Sequence, residues 1–338
     1  MSGMAKSLKA MHDAATDDPL TLYYAFKQSE AADEGVSSPG WAVFLQAVVD
    51  AGLTLDGTWP IRTELVGNLK KKLNVLASSI VLVCRKGEPN ARIASREELV
   101  RALRREMPTA LHTIRGAGIG PVDMAQAAIG PGMAVFTRYK AVLEDSGEKM
   151  SVRTALGLIN QIRDEIDHDD DAAYDAETRF ALDWFAEAGW EYGDSGRAIL
   201  LANAKNLALD RLSRLGLIET PGGRTRLMPR DSLHLEMLDH SPIVWLAAQH
   251  LAQALVSPGG GQERAAEVLA GISSGNRELV RALAYRLYGL AERKGWAQEA
   301  LVWNRLAEEW GTIEDIAETT AARPPARGAT PDLFGARP

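Results

Sequence analysis

The run Ser78-Ser79-Ile80-Val81-Leu82-Val83-Cys84 is almost continuously apolar. A strand reads this way when both of its faces are covered, because the usual in-and-out alternation disappears once neither side meets water. The residues before it narrow the choice. Leu20 to Phe26 is bounded by Asp17-Asp18-Pro19 and by a polar Lys27-Gln28-Ser29-Glu30 exit, and it predicts another strand. Trp41 to Ala51 sets Phe44, Leu45, Val48 and Val49 on one helical face, with Ser37-Ser38-Pro39-Gly40 ahead of it and Gly52 in the closing position. Leu53 to Thr58 reads as a strand. The unit is therefore strand, helix, strand, strand. The crossover helix permits a parallel pair, whereas the last two strands, joined without a helix, are expected to be antiparallel.

The wording of these segments is as informative as their order. YYAFKQSE (Tyr23 to Glu30), GWAVFLQAVVDAGLTLDGTWPIRTE (Gly40 to Glu64) and LASSIVLVCR (Leu76 to Arg85) resemble the last part of the large adenine-specific DNA methylases that carry a zinc ribbon. The resemblance continues through PVDMAQAAIGPGM (Pro121 to Met133), SVRTALGLINQI (Ser151 to Ile162) and AYRLYGLAERKGWAQEAL (Ala284 to Leu301), and so covers most of the chain. It implies a partial Rossmann-like methyltransferase sheet, with S-adenosylmethionine as cofactor of the complete enzyme and DNA as its substrate. The family's Gly-rich cofactor loop and its Asp/Asn-Pro-Pro-Tyr/Phe catalytic loop do not stand in this sequence. Its paired-cysteine ribbon cannot form either, since Cys84 is the single cysteine. The resemblance thus implies a C-terminal portion, inactive alone, for which an upstream methyltransferase polypeptide supplies the cofactor and catalytic motifs.

Composition constrains the partners. The 338 residues are 46% hydrophobic, enough for about two domains with their own cores. One cysteine excludes a disulfide framework and points to the cytoplasm, with Cys84 a buried small hydrophobe. No stretch has the apolar length of a membrane span, and the first residues lack a signal-peptide core. A net charge of −7 argues against indiscriminate coating of nucleic acid, so any DNA contact must be a local patch.

Beyond Ser95 the pattern becomes helical, giving a predominantly α-helical α+β chain. Ser95 caps a helix with Glu97 and Glu98 in its first turn and Leu99, Leu103 and Met107 at core spacing, disturbed at Pro108. Another begins near Val122, is interrupted by Gly130-Pro131-Gly132, and resumes from Met133 to Leu143. Ser151 to Ile166 and Asp175 to Ala188 follow, and Glu278 to Lys294 and Ala297 to Glu309 come after the Gly259-Gly260-Gly261 break. These readings divide the chain into a sheet segment (1–90), a helical domain (91–193), a winged-helix-like element (194–232), C-terminal helices (233–318) and a disordered tail (319–338).

Two places are candidates for function. In open α/β sheets ligands meet the carboxyl ends of parallel strands, so Lys27, Gln28 and Ser29 are expected at the catalytic rim, with Trp59 and Arg62 along the path of an extruded base or the DNA backbone. The alternative reading keeps Trp59 as packing and Arg62 in solvent. From Asp194 to Arg230, short helices at Ala198–Asn203 and Leu207–Leu215 are followed by a strand at Leu217-Ile218-Glu219, a Pro221-Gly222-Gly223 turn and a return strand from Arg224 to Met228. This is winged-helix spacing. Lys205, Asn206, Arg211 and Arg214 would face a groove, and Arg224 and Arg226 would meet phosphates. The alternative is a helical subdomain whose hairpin closes its own core or meets protein.

Other patterns carry less. Gly116-Ala117-Gly118-Ile119-Gly120 spells a phosphate-binding run, but a helix and not a strand precedes it, so it is expected to link two helices. The acidic run Asp164, Glu165, Asp167, Asp169, Asp170 and Asp171 around His168 lacks the Gly turn and terminal Glu of a calcium loop and reads as a solvated linker. His234, His240 and His250 have no short metal spacing, and no metal is expected. Thr330-Pro331-Asp332-Leu333-Phe334 lacks the glutamine of sliding-clamp motifs and reads as inert tail.

Overall fold

The structure, a computed structural model, describes residues 2–25, 39–62, 78–233 and 243–321. It is α+β and mostly helical. Two hydrophobic cores organise it.

The first core is built by α1 (Ser2–Ala14), β1 (Leu20–Ala25), α2 (Pro39–Asp50), β2 (Leu53–Arg62), β3 (Ser78–Lys86), β4 (Ile93–Ser95), α3 (Arg96–Gly116), α4 (Pro121–Thr137), β5 (Ala141–Leu143) and α5 (Val152–Asp169). The main sheet has the order β1-β3-β2, and β3 is antiparallel to both neighbours. The expected antiparallel pairing of the last two strands is present. The two strands joined by the crossover helix run in the same direction but do not touch, because β3 lies between them. Ile80, Val81, Leu82 and Cys84 of β3 are all buried, which accounts for its unbroken apolar run.

A bulge between Leu55 and Gly57 lets Leu53, Leu55 and Thr58 all be buried along β2. On this inner side Trp41, Leu45 and Val48 of α2 are buried, and the Tyr24 ring of β1 lies 5.0 Å from Trp41 and 4.7 Å from Phe44. The outer edge of β2 is covered by α4. The Leu55 N–H donates to Thr137 Oγ1 at 2.9 Å, and the Thr58 hydroxyl donates to the Ala127 carbonyl at 3.3 Å.

Two expected interruptions are absent. Helix α3 passes through Pro108 to Gly116, because the buried stripe Leu103, Met107, Leu111, Ile114 continues beyond the proline and holds the last turns on the core. Its start is as read: Ser95 Oγ accepts the Glu98 N–H at 3.2 Å and Glu98 Oε2 accepts the Ser95 N–H at 2.9 Å, the reciprocal capping box. Helix α4 also runs unbroken through Gly130-Pro131-Gly132. These glycines serve packing: a Cβ on Gly130 would stand 2.3 Å from Thr58 Oγ1, and one on Gly132 would stand 2.6 Å from Ile159 Cγ1. The segment expected to extend this helix to Leu143 instead supplies β5, a three-residue strand parallel to β4.

The second core is built by α6 (Ala176–Ala188), β6 (Gly193–Asp194), α7 (Ser195–Asn203), α8 (Leu209–Arg214), β7 (Ile218–Glu219), β8 (Arg224–Leu227), α9 (Val244–Val256), α10 (Gln262–Ala270), α11 (Ser274–Lys294) and α12 (Ala297–Ala321). At its centre α9 is buried on nearly every side. Its first N–H groups are satisfied by α6: Asp175, the N-cap of α6, accepts from Val244 at 3.0 Å, and Thr178 Oγ1 accepts from Trp245 at 2.9 Å. The composition boundary near residue 90 falls inside the first core, because α3, α4 and α5 pack with the sheet. The change from one core to the other comes between Ile162 and Tyr174.

The acidic run between them is helix and not linker. Residues through Asp169 belong to α5, Glu165 accepts two hydrogen bonds from Arg104, and Asp171 is held by both edges of the Arg286 guanidinium at 3.1 Å. No described helix is long and apolar enough to cross a membrane.

Candidate nucleic-acid interface

Because β1 and β2 run the same way, Ala25 and Arg62 end at the same rim of the sheet. Tyr23 and Trp59 are both in register with Val81, so they flank it on the outer face, 70% and 45% exposed, with Ile61 one step nearer the rim and 39% exposed. Trp59 is thus a surface ring. Arg62 is the last residue of β2, opposite Ser78. Lys27, Gln28 and Ser29 lie outside the described residues. Cys84, on the inner face, has its thiol pushed up to about 12 by burial, which leaves no reactive thiolate at neutral pH.

The second place is the region from α6 to β8. Helix, strand, helix, helix, strand, strand follow one another, and β8 pairs antiparallel with both β6 and β7 to give the order β6-β8-β7. The sequence shapes it locally. Asp194 caps α7 by accepting the Arg197 N–H at 3.0 Å, and Gly222 and Gly223 take φ of 59° and 77° in the hairpin turn, where a side chain would be strained. Ala198, Ala202, Leu212, Leu217, Ile218 and Leu227 point into the second core. Thr225 of β8 is fully buried and its hydroxyl meets that of Ser195 at 2.8 Å, tying the hairpin to the start of α7.

The structure brings the six candidate groove and wing residues onto this one element, but in different electrostatic states. Lys205 contacts Asp183 of α6, Arg211 donates to Glu177 at 2.7 Å, and Arg226 contacts Glu219. Arg224 donates to the Tyr192 carbonyl at 2.6 Å, a partner that leaves its charge uncompensated, and its guanidinium lies 5.7 Å from the Tyr192 ring centre. Arg214 is exposed at the end of α8, and Asn206 holds a left-handed φ of 57° in the α7–α8 turn, a conformation asparagine tolerates.

Sequence reasoning missed three features here. Tyr192 lies under both wing arginines, 4.4 Å from the Arg226 guanidinium, and its hydroxyl donates to Glu219 at 2.6 Å. That hydrogen bond, followed by Arg226, holds the Glu219 carboxyl below its usual range, and the carboxylate in turn raises the Tyr192 hydroxyl. Ile199 and Leu200 of α7 are exposed apolar residues. Arg230, just after β8, is sheltered between Trp303 and Trp190, donates to Gln249 at 2.9 Å, and meets Glu299, whose oxygens also accept the Trp190 and Trp303 indole N–H groups. Only the alternation of short helices with a Pro-Gly-Gly turn is visible locally; these partners are far apart in the chain.

Among the described residues no group of His, Cys, Asp and Glu has the arrangement of a metal site. His234 and His240 lie outside the described residues, and His250 is buried in α9. The Gly116 to Gly120 run joins α3 to α4, as expected of a link between helices. No curated protein and no solved structure matches the chain. Residues 175–330, a span that opens at the cap of α6 and takes in the second core, match a family described as a domain of unknown function, DUF8807.

Proposed function

We propose that the chain is the closing segment of an S-adenosylmethionine-dependent DNA adenine-N6 methyltransferase, completing the catalytic sheet and contributing DNA contacts while another polypeptide provides the cofactor and catalytic loops. The observation that carries this reading is the sheet: strand, helix, strand, then an antiparallel last strand, the order in which the resembling family's sheet finishes, with the ends of β1 and β2 at one rim. The exposed Trp59 near that rim supports a role beside an extruded base. The order β6-β8-β7 beneath three helices supports a winged helix, with Arg214, Asn206 and Arg224 as its available contacts.

The test is methyl transfer from labelled S-adenosylmethionine to DNA. The chain alone is expected to be inactive, and addition of the polypeptide from the adjacent upstream reading frame is expected to give N6-methyladenine. Activity of the chain alone removes the proposal. For the wing, Arg224→Glu with Arg226→Glu should weaken DNA binding and flatten its salt dependence by at least the phosphate contact of Arg224, worth about 0.9 in the log–log slope, Arg226 being engaged by Glu219. An unchanged slope rejects the wing contact.

A second reading has its own support. The acids beside Lys205, Arg211 and Arg226, together with exposed Ile199 and Leu200, suit a winged helix that meets protein instead of DNA. In that case the double substitution leaves DNA affinity unaltered while Leu200→Glu removes partner binding.

A further inference from the structure

The outer face of β8 carries two arginines that are not equivalent. Thr225 and Leu227 are buried, so Arg224 and Arg226 share the opposite face, two residues apart and about 7 Å along the strand. Arg224 is exposed, and its guanidinium donates to a neutral group, the Tyr192 carbonyl, at 2.6 Å. Asp194, opposite it in the β6–β8 ladder, uses a carboxylate oxygen to cap α7 through the Arg197 N–H at 3.0 Å. Arg226 stands opposite Glu219 in the β7–β8 ladder, and its Nε donates to Glu219 Oε1. The Tyr192 hydroxyl donates to that same oxygen at 2.6 Å, and its ring centre lies 4.4 Å from the Arg226 guanidinium. The Glu219 and Arg226 side chains are 34% and 30% exposed, so hydrogen bonds more than burial hold the pair together.

We propose that Glu219 is a positioning residue that withholds Arg226 from phosphate, so that the outer face of β8 offers one arginine, Arg224, to the DNA backbone and offers two once residue 219 is neutral. The inference rests on the winged-helix reading of the proposed function and adds the residue that sets its strength. Phosphate contacts strengthen binding by releasing counterions in proportion to the cationic charge brought to the DNA. A guanidinium already neutralised by a carboxylate brings no net charge. Turning Arg226 toward a phosphate would leave Glu219, still tethered by Tyr192, beside a second anion, where like charges repel. The Tyr192 hydrogen bond, and after it Arg226, hold the Glu219 carboxyl below its usual range, so the acid is charged near neutral pH. Lys205 and Arg211 are paired too, but with acids of α6; Glu219 lies on the hairpin itself, where its neutralisation frees a cation next to Arg224.

Salt titrations of the full chain against a short labelled DNA duplex, read by fluorescence anisotropy, test the proposal. Arg224→Gln should flatten the log–log slope by about 0.9, one phosphate contact. Glu219→Gln, whose amide oxygen can still accept from Tyr192, should steepen the slope by about 0.9 and raise affinity at low salt. Glu219→Gln combined with Arg226→Gln removes the pair at unchanged net charge and should restore the slope of the parent. If Arg224→Gln has no effect, the wing reading fails and the proposal fails with it. If Arg224→Gln acts as expected while Glu219→Gln leaves the slope unchanged, the proposal alone is overturned. A steeper slope that persists in the double variant also overturns it, because loss of a carboxylate and not release of Arg226 is then the cause. So does a double variant whose slope falls below that of the parent, the sign that Arg226 already meets phosphate.

Discussion

Gly130→Ala and Gly157→Ala make the same chemical change in two helices and should shift stability in opposite directions. At Gly130 the new methyl would stand 2.3 Å from Thr58 Oγ1, 2.5 Å from the Thr58 backbone nitrogen and 3.0 Å from its Cβ. The hydroxyl can rotate away, at the loss of its bond to the Ala127 carbonyl, but the nitrogen is fixed in the ladder between β2 and β3. Helix α4 must therefore move off the strand. Such overpacking costs about 1–3 kcal/mol and the lost hydrogen bond about 1, against about 1 kcal/mol gained from alanine's better helix propensity, for a net loss of about 1–3 kcal/mol. At Gly157, exposed in α5, nothing lies within 4 Å of the added carbon, so only the propensity gain of about 0.5–1 kcal/mol remains. Peptide-level amide exchange in urea reads β2 and α4 directly and avoids treating two cores as one transition. If Gly130→Ala proved as stable as the parent, or if both variants moved in the same direction, the account of the Gly-Pro-Gly segment as a packing surface would be refuted. Because Trp59 follows Thr58, the rim is expected to shift with it.

Two further outcomes concern the second core. His250 is 3% exposed, and burial pushes its imidazole down from 6.5 to about 4. The unfolded chain therefore takes up this proton first, so the contribution is fully present above pH 6.5 and is lost as pH falls toward 4, by up to about 3 kcal/mol; urea midpoints of the parent and His250→Gln should diverge over that window, and parallel curves exclude the assignment. Arg230→Met leaves the Glu299 carboxylate sheltered without its cation and should cost about 3 kcal/mol, accompanied by a change in Trp190 and Trp303 fluorescence; an unchanged denaturation midpoint contradicts it.

What could be read from the sequence was local. The apolar run of β3, the Ser95 cap with Glu97 and Glu98 in the first turn, and the Pro-Gly-Gly hairpin each declare themselves within a few residues, and each stands where it was expected. Helix α9 was hidden for the opposite reason: Val-Trp-Leu-Ala-Ala-Gln-His-Leu-Ala-Gln-Ala-Leu-Val is buried all round, so it lacks the alternation of polar and apolar faces that marks a surface helix. Gly130-Pro131-Gly132 looked like an interruption because a local rule sees weak helix formers, whereas the strand they receive lies some 70 residues earlier. The charge state of the candidate groove was hidden in the same way. Lys205, Arg211 and Arg226 are visible as cations, but Asp183 and Glu177 come from α6, and Glu219 acts jointly with Tyr192.

The glycine run between α3 and α4 has a role that neither a phosphate loop nor a passive linker describes. Tyr285 of α11 donates its hydroxyl to the Ile119 carbonyl, Arg281 donates to that of Arg115, and Gly120 approaches Glu308 of α12 so closely that a Cβ would stand 2.6 Å from the Glu308 Cγ. Small residues here leave backbone carbonyls open for the side chains of the second core, and Tyr285 and Ala307 are buried within the first. From α12 the connection continues through Glu299 to Arg230 at the end of β8. The rim of the sheet and the wing hairpin, more than 150 residues apart in the chain, are thereby joined through α4, the glycine run, α12 and a sheltered ion pair. Under the proposed function, in which both surfaces engage one DNA duplex, a fixed spacing is required, since each bound site restricts where the other can land. The joint fits that requirement, and it depends on the small residue at 120, where a side chain would run into Glu308, and on the positive φ of Gly118.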